Sequence, residues 1–200
     1  MARPPQFDRT EVLEKATQLF WERGYRGASV SDLVKATGLL PGSIYASFGN
    51  KEGMFIACLD YYGAQGDALR SQFESDSSPL TVLRNFFFAI VEMAADGDGS
   101  RGCFLVNASL ECAESDSAIK SKVRDCMGQN EVWIRDQIDA ARQVGELSED
   151  TDTTRLAGCL TGAMFGFRVM SRAQEDPDKI RDVASTTFDS LVTPWQQVAV

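Results

Sequence analysis

Between Ser29 and Lys51 the chain reads SVSDLVKATGLLPGSIYASFGNK, and no other stretch constrains the fold as tightly. It divides at Gly38 into two short segments. The first, from Ser29 to Thr37, places Val30, Leu33 and Val34 on one side. Gly38 supplies the turn, because glycine takes positive φ at little steric cost. The second segment starts at Pro41, where a missing N–H costs nothing, and stops near Phe48, before Gly49. Ile44 and Phe48 read as its buried residues. Helices of about eight residues do not stand alone in water, so both must pack on a neighbour. Two such helices across a tight turn form a helix-turn-helix, whose second helix fits the major groove of DNA.

Nearly every other segment also carries helical spacing. Asp8, with Glu11 three residues on, has a capping-box pattern. It opens a helix through Val12, Leu13, Ala16, Leu19 and Phe20 that ends at Gly24. Asn50-Lys51-Glu52 caps a fourth helix through Met54, Phe55, Cys58, Leu59 and Tyr62, continuing past Leu69. Ser78-Pro79 opens a helix through Leu83, Phe86, Phe87, Ile90 and Met93. AADGDGSRG, residues 94–102, reads as a loop. Cys103 to Glu111 forms a short apolar helix. Ser115 or Asp116 caps a long helix reaching about Val144. Glu149-Asp150 opens the helix holding Leu156 to Met170, and Pro177 opens the last, through Ile180, Val183, Phe188 and Leu191. No stretch alternates strictly enough for a strand. The pattern predicts an all-α protein: an N-terminal three-helix helix-turn-helix domain, residues 1–51, and a larger helical bundle, residues 52–200.

Composition removes other classes of function. The chain has 200 residues and no histidine. That excludes His-based triads, His general bases and the usual His-containing zinc sites. There is no phosphate-cradling glycine loop of P-loop or Rossmann spacing and no Cys/Asp ligand cluster, so no enzyme, cofactor or metal site is expected. Carboxylate pairs such as Glu149-Asp150 read as caps or solvated faces. The five cysteines are odd in number and spread without a CxxC pair, which favours reduced thiols in a cytoplasmic protein. No apolar run reaches about 18 residues, and the N-terminus lacks the apolar core of a secretory signal. Neither a membrane span nor export is expected. The net charge of −9 is unevenly placed. Residues 1–51 carry seven Lys/Arg against five Asp/Glu, and the other 149 carry 13 against 24. The acid lies away from the segment that would meet phosphates, and binding depends on the local field.

The N-terminal segment LFWERGYRGASVSDLVKATGLLPGSIYASFGNKEGMF resembles the tetracycline-repressor (TetR) family of bacterial transcription regulators. The likeness covers roughly residues 8–62. It rests on Phe20 and Gly24-Tyr25 after the first helix, on Ser29 opening the second, on Gly38 in the turn, and on Ser43-Ile44-Tyr45-Ala46-Ser47-Phe48 with Lys51-Glu52. Beyond these, the likeness is one of helix count and layout. The resemblance implies a dimer that binds double-stranded DNA at a palindromic operator, most simply as a repressor. It sets the Tyr45 hydroxyl, Lys51 and Ser29 on phosphates, and turns Pro41, Gly42, Ser43 and Ala46 toward base edges, with Ser47 in the same interface. Two departures stand out. Leu40 occupies a position where Ser or Thr often caps the recognition helix, and Ala46 and Ser47 are short. Readout then relies on methyl contacts, Ser43 and DNA shape. A TetR-like interaction protein that has lost specific DNA binding is the alternative.

The same resemblance gives the second domain a small-molecule effector whose binding shifts the two readers. The candidate lining is aromatic and apolar: Phe86, Phe87, Phe88, Met93, Phe104, Met127, Trp133, Phe165 and Phe167. Such spacing also suits plain core, and the set favours an apolar, aromatic effector. Cys103 follows Arg101-Gly102 at the start of a short helix, a setting that favours a reactive thiolate. Relatives that sense quinones, aldehydes or oxidants look similar here, with a Gly-Cys; the other reading is a small buried residue after a glycine turn. Gly158, Gly162 and Gly166 recur every four residues, with Phe188 and Leu191 on the last helix. Each glycine costs roughly 1 kcal/mol of helix stability relative to alanine. A packing reason is therefore expected. The resemblance implies a homodimer through a four-helix bundle of the last two helices of each copy, which the stripe fits; the other reading is close packing within one subunit.

Overall fold

A computed structural model of the protein describes residues 7–73, 78–96, 101–112 and 117–197. It contains α1 (Arg9–Gly27), α2 (Val30–Thr37), α3 (Pro41–Phe48), α4 (Lys51–Ser71), α5 (Pro79–Ala95), α6 (Phe104–Glu111), α7 (Ser117–Gln143), α8 (Thr153–Arg172) and α9 (Pro177–Val192). A 3-10 turn, Thr193–Trp195, follows. The fold is all-α. Among the described residues the only β pairing is an isolated bridge between Leu147 and Gln196.

Helix ends follow their caps. Asp8 accepts hydrogen bonds from the amides of Thr10 and Glu11, but the reciprocal half of the expected capping box is not made. Glu11 turns instead to Lys15, at 2.5 Å. Ser78, ahead of Pro79, and Asp176, ahead of Pro177, cap α5 and α9. The cap of α8 is Asp152, whose carboxylate accepts from the Arg155 amide at 3.0 Å. Glu149 and Asp150 lie in the preceding turn, so the expected start there is corrected by three residues. The expected loop over 94–102 is also shorter, because Ala94 and Ala95 still belong to α5; residues 97–100 lie outside the described ones. So do Ser115 and Asp116, expected to cap α7.

The chain falls into two compact units. One comprises residues up to Gly66 together with Asn107–Cys126, and the other Asp67–Val106 with Met127 onward. In the first, Phe20 and Phe55 meet edge to face at 4.9 Å, and Leu33, Ile44 and Met54 are fully buried. The amphipathic pattern thus ties the short α2 and α3 to the longer α1 and α4. In the second, α5, α7, α8 and α9 pack around Leu83, Phe86, Phe87, Ile134, Leu160, Phe167 and Phe188. Phe87 lies 5.7 Å from Phe167 and 5.1 Å from Phe188. Aromatic rings at such separations add to the stabilisation from burial.

Candidate nucleic-acid interface

The geometry of the reader begins at two glycines. Gly38 ends α2 at φ 74°, ψ 1°, with its amide donating to the Val34 carbonyl. A non-glycine residue there would strain the turn. Gly24 sits at φ 74°, ψ 170° and breaks the helical path of α1, as its sequence position suggested. The amides that follow it are taken by a residue far along the chain. The Glu111 carboxylate accepts from Tyr25 N at 2.8 Å and from Arg26 N at 2.6 Å. A Cβ on Gly24 would collide with that carboxylate. The pairing spans more than eighty residues, so no local pattern announces it.

Ser29 is the N-cap of α2 in a complete capping box. Its Oγ accepts from Asp32 N at 3.1 Å, while Asp32 Oδ2 accepts from the Ser29 amide at 3.0 Å. The Ser29 hydroxyl also donates to Asp32 Oδ2 at 2.5 Å. Arg23 pairs with the other carboxylate oxygen at 2.9 Å. The hydrogen bonds from Ser29, with help from Arg23, hold the Asp32 carboxyl below its ordinary value of 3.8. A Ser-x-x-Asp spacing carries this signal in the sequence.

Lys51 opens α4, and its ammonium donates to the carbonyls of Tyr25 at 2.8 Å and Ala28 at 3.0 Å, with the Tyr25 ring 4.4 Å away. These contacts tie the first turn of α4 to the end of α1. Two of its three donors are thus used within the chain, a role the sequence reading missed.

α3, the second helix of the helix-turn-helix, leaves one side exposed. Ile44 is fully buried and anchors the helix, while Phe48 is partly covered beneath the Arg9 guanidinium, 4.8 Å from its ring. Pro41, Gly42, Tyr45 and Ala46 are exposed, and Ser43 and Ser47 partly so. Leu40 makes no side-chain cap hydrogen bond, as expected, and the helix has no acidic first turn or basic last turn. A surface with hydroxyls and apolar groups, with Arg9 over Phe48 at one end and Lys51 opening the next helix, can lie on a polyanion and touch base edges.

The comparisons with known proteins agree with this geometry. Residues 12–58 match the family model for "Bacterial regulatory proteins, tetR family", and residues 79–187 match the "Tetracyclin repressor-like, C-terminal domain". The chain belongs to the TetR family. It is similar to the HTH-type transcriptional repressor ComR of Escherichia coli (strain K12), at 32% identity over 190 residues, covering 93% of this chain and 90% of ComR. The HTH-type transcriptional regulator YezE of Bacillus subtilis (strain 168) is 27% identical over 96% of this chain and all of its own length. Among solved structures, a cysteine mutant of the TetR family regulator CifR, complexed with 26 bp double-strand operator DNA, has a TM-score of 0.84 at 28% identity. It covers 94% of this chain and 99% of CifR's.

The second unit of this TetR-family chain places the remaining sequence candidates. Phe86, Phe87, Phe104 and Phe167 are buried, and Phe86 lies 4.7 Å from Trp133. Met127, Trp133 and Phe165 are partly covered. Met93 is 45% exposed, unlike the buried phenylalanines of the set. Phe188 is corrected: it is 1% exposed and packs on Phe87 and Phe88 of its own chain, which leaves no face for a partner. Leu191 stays at the edge of that core. Gly162 and Gly166 face open space, since a Cβ on either meets nothing within 4 Å. At Gly158 a Cβ would lie 3.8 Å from Glu131 Oε1. Cys103 is buried just ahead of α6, Cys159 is exposed, and burial pushes the Cys58 thiol up to about 12. A Cβ on Gly102 would lie 3.2 Å from the Arg172 Cβ. A left-handed φ of 69° and this close approach together account for the glycine of the Gly-Cys pair.

Proposed function

We propose that this protein is a dimeric one-component repressor in the cytoplasm. Each copy lays α3 in a major groove of a palindromic operator, and an apolar effector or thiol modification in the second unit releases it. The carrying observation is the exposed edge of α3, held by the buried Ile44 and by the Ser29–Asp32 and Lys51 contacts at its flanks. In this reading the Tyr45 hydroxyl, free-standing on an exposed side chain, meets a phosphate. Ser29 meets another through what its capping box leaves available. Dimerisation is supported by the open faces of Gly162 and Gly166, which nothing among the described residues fills. The aromatic set around Phe86 and Trp133 supports an apolar effector, because Trp133 retains exposed surface beside a wholly buried partner. Cys103 is the thiol candidate, and its burial means that modification would have to displace its packing.

The test is a footprint of the purified protein on its own upstream DNA and on a randomised pool at ~0.1 M salt, where the phosphate term is still strong. It is repeated with a quinone as an apolar electrophile. Protection of two half-sites, about 34–36 Å apart or a multiple of it, supports the reading. Loss of protection with quinone that persists in Cys103→Ser assigns release to non-covalent binding; loss that disappears assigns it to the thiol. No protection on any DNA would favour the interaction-protein alternative.

A further inference from the structure

Leu40 sits at the N-cap of α3 and breaks two local rules at once. It is 71% exposed, and it offers no side-chain acceptor to the amides of the first turn. Its carbonyl does accept from Ser43 N at 2.9 Å and Ile44 N at 3.1 Å, so the backbone is that of an ordinary cap with the wrong side chain. Serine, threonine, aspartate or asparagine would hold this helix better. Leu39, one residue earlier, points inward at 9% exposure. Leu40 therefore gains nothing from the core of its own unit. Positions that violate local preference without a folding gain are where function is expected.

The chemistry of α3 narrows what that function can be. Between Leu40 and Phe48 there is no Arg, Lys, Asn, Gln, Asp or Glu. The helix thus lacks every side chain that pairs in bidentate fashion with guanine or adenine, or accepts from cytosine. What remains for base edges is the hydroxyls of Ser43 and Ser47 and the apolar surfaces of Leu40, Pro41 and Ala46. In the major groove the feature an apolar side chain can read is the C5-methyl group of thymine. The N-terminal residues of a recognition helix are the ones that reach base edges. We infer that Leu40 is a specificity-determining residue that reads a thymine methyl group in each operator half-site. The inference rests on the DNA-binding reading above and adds the base class that the reader prefers.

The experiment selects bound sequences from randomised DNA with the full-length protein, then replaces each thymine of the half-site with deoxyuridine, which removes only the methyl group. Burying one methyl corresponds to about a fourfold change in affinity, or about fifteenfold when both half-sites of a palindrome lose it. The expected result is one thymine position per half-site at which the natural protein loses that much and Leu40→Ala loses nothing further. Leu40→Ser supplies a second readout of opposite sign. It restores a capping hydroxyl, so its unfolding temperature should rise while its discrimination between thymine and deoxyuridine disappears. Equal losses in the natural protein and in both variants, or no methyl sensitivity at any position, would overturn the inference and leave DNA binding intact. Failure of the natural protein to select any sequence would overturn the DNA-binding reading itself, and this inference with it.

Discussion

Asp32 accepts from the amide and hydroxyl of Ser29 and pairs with Arg23, so one carboxylate joins the end of α1 to the start of α2. Its folded-state pKa is depressed, which fixes the sign of its pH dependence. Above the ordinary value of 3.8 the carboxyl is ionised in both folded and unfolded chains, and its contribution is fully present. As pH falls below that value the unfolded chain takes up the proton first, and the contribution is lost as pH passes through the lower folded value. Thermal unfolding of the natural protein and Asp32→Asn should therefore differ by a constant amount from pH 7 to near pH 4. The gap should close below pH 4. A gap that varies between pH 5 and 7 would mean that another group carries the effect. Ser29→Ala removes the hydroxyl from the same box and should cost about 1 kcal/mol, read by urea unfolding. The sequence marked Ser29 as the start of the second helix but not its pairing with Asp32, although both halves lie within one helical turn. Lys51 was legible only as a cation at a helix start. That its donors reach the carbonyls of Tyr25 and Ala28 depends on how α1 and α4 pack, which no local pattern encodes.

At the level of elements, the sequence placed α2 and α3 to within a residue, with Ser29 capping α2 rather than opening it, since a serine cap, a left-handed glycine, a proline and a second glycine bracket them. It misplaced the start of α8, because Glu149, Asp150 and Asp152 are all plausible caps. Asp152 alone is followed by the amide of Arg155 within reach. It gave no sign that α6 ends on the reader, because Glu111 and Gly24 are distant in the chain. That contact makes the end of α6 a brace for the α1–α2 corner. Hydrogen bonds to a charged group contribute about 1.5–3 kcal/mol each, and a donor left in water loses less. Tyr25 N is partly buried and Arg26 N exposed. Glu111→Ala should thus destabilise the protein by on the order of 2 kcal/mol, and Glu111→Gln, which keeps an acceptor, by less. Urea unfolding ranks the two. If both match the natural protein, the brace has no energetic weight.

The whole molecule combines an acidic C-terminal three quarters with a reader that is only mildly basic, a balance that suits the paired binding proposed above. Gly162 tests the pairing. Leucine there meets no atom of the described residues within 4 Å of the new Cβ and improves helix propensity by roughly 1 kcal/mol. Gly162→Leu should leave the subunit folded while obstructing the α8 face. If α8 carries the proposed dimer, light scattering should report dimers for the natural protein and monomers for the variant; dimers of unchanged stability in both would move the interface elsewhere. The proposed dimer also sharpens the question of Lys51, whose charge can serve phosphate or the carbonyls of Tyr25 and Ala28. Each phosphate neutralised in B-DNA contributes about 0.9 to the slope of log affinity against log salt. Two copies each placing Lys51 on a phosphate predict that Lys51→Ala lowers affinity and flattens the slope by about 1.8. If Lys51 acts only by tying α4 to the Tyr25 and Ala28 carbonyls, affinity falls because the reader loosens, but the number of phosphates met by the other cations, and so the slope, stays as it was. Operator titrations of the two proteins between 50 and 200 mM salt, the range in which counterion release dominates, separate these cases.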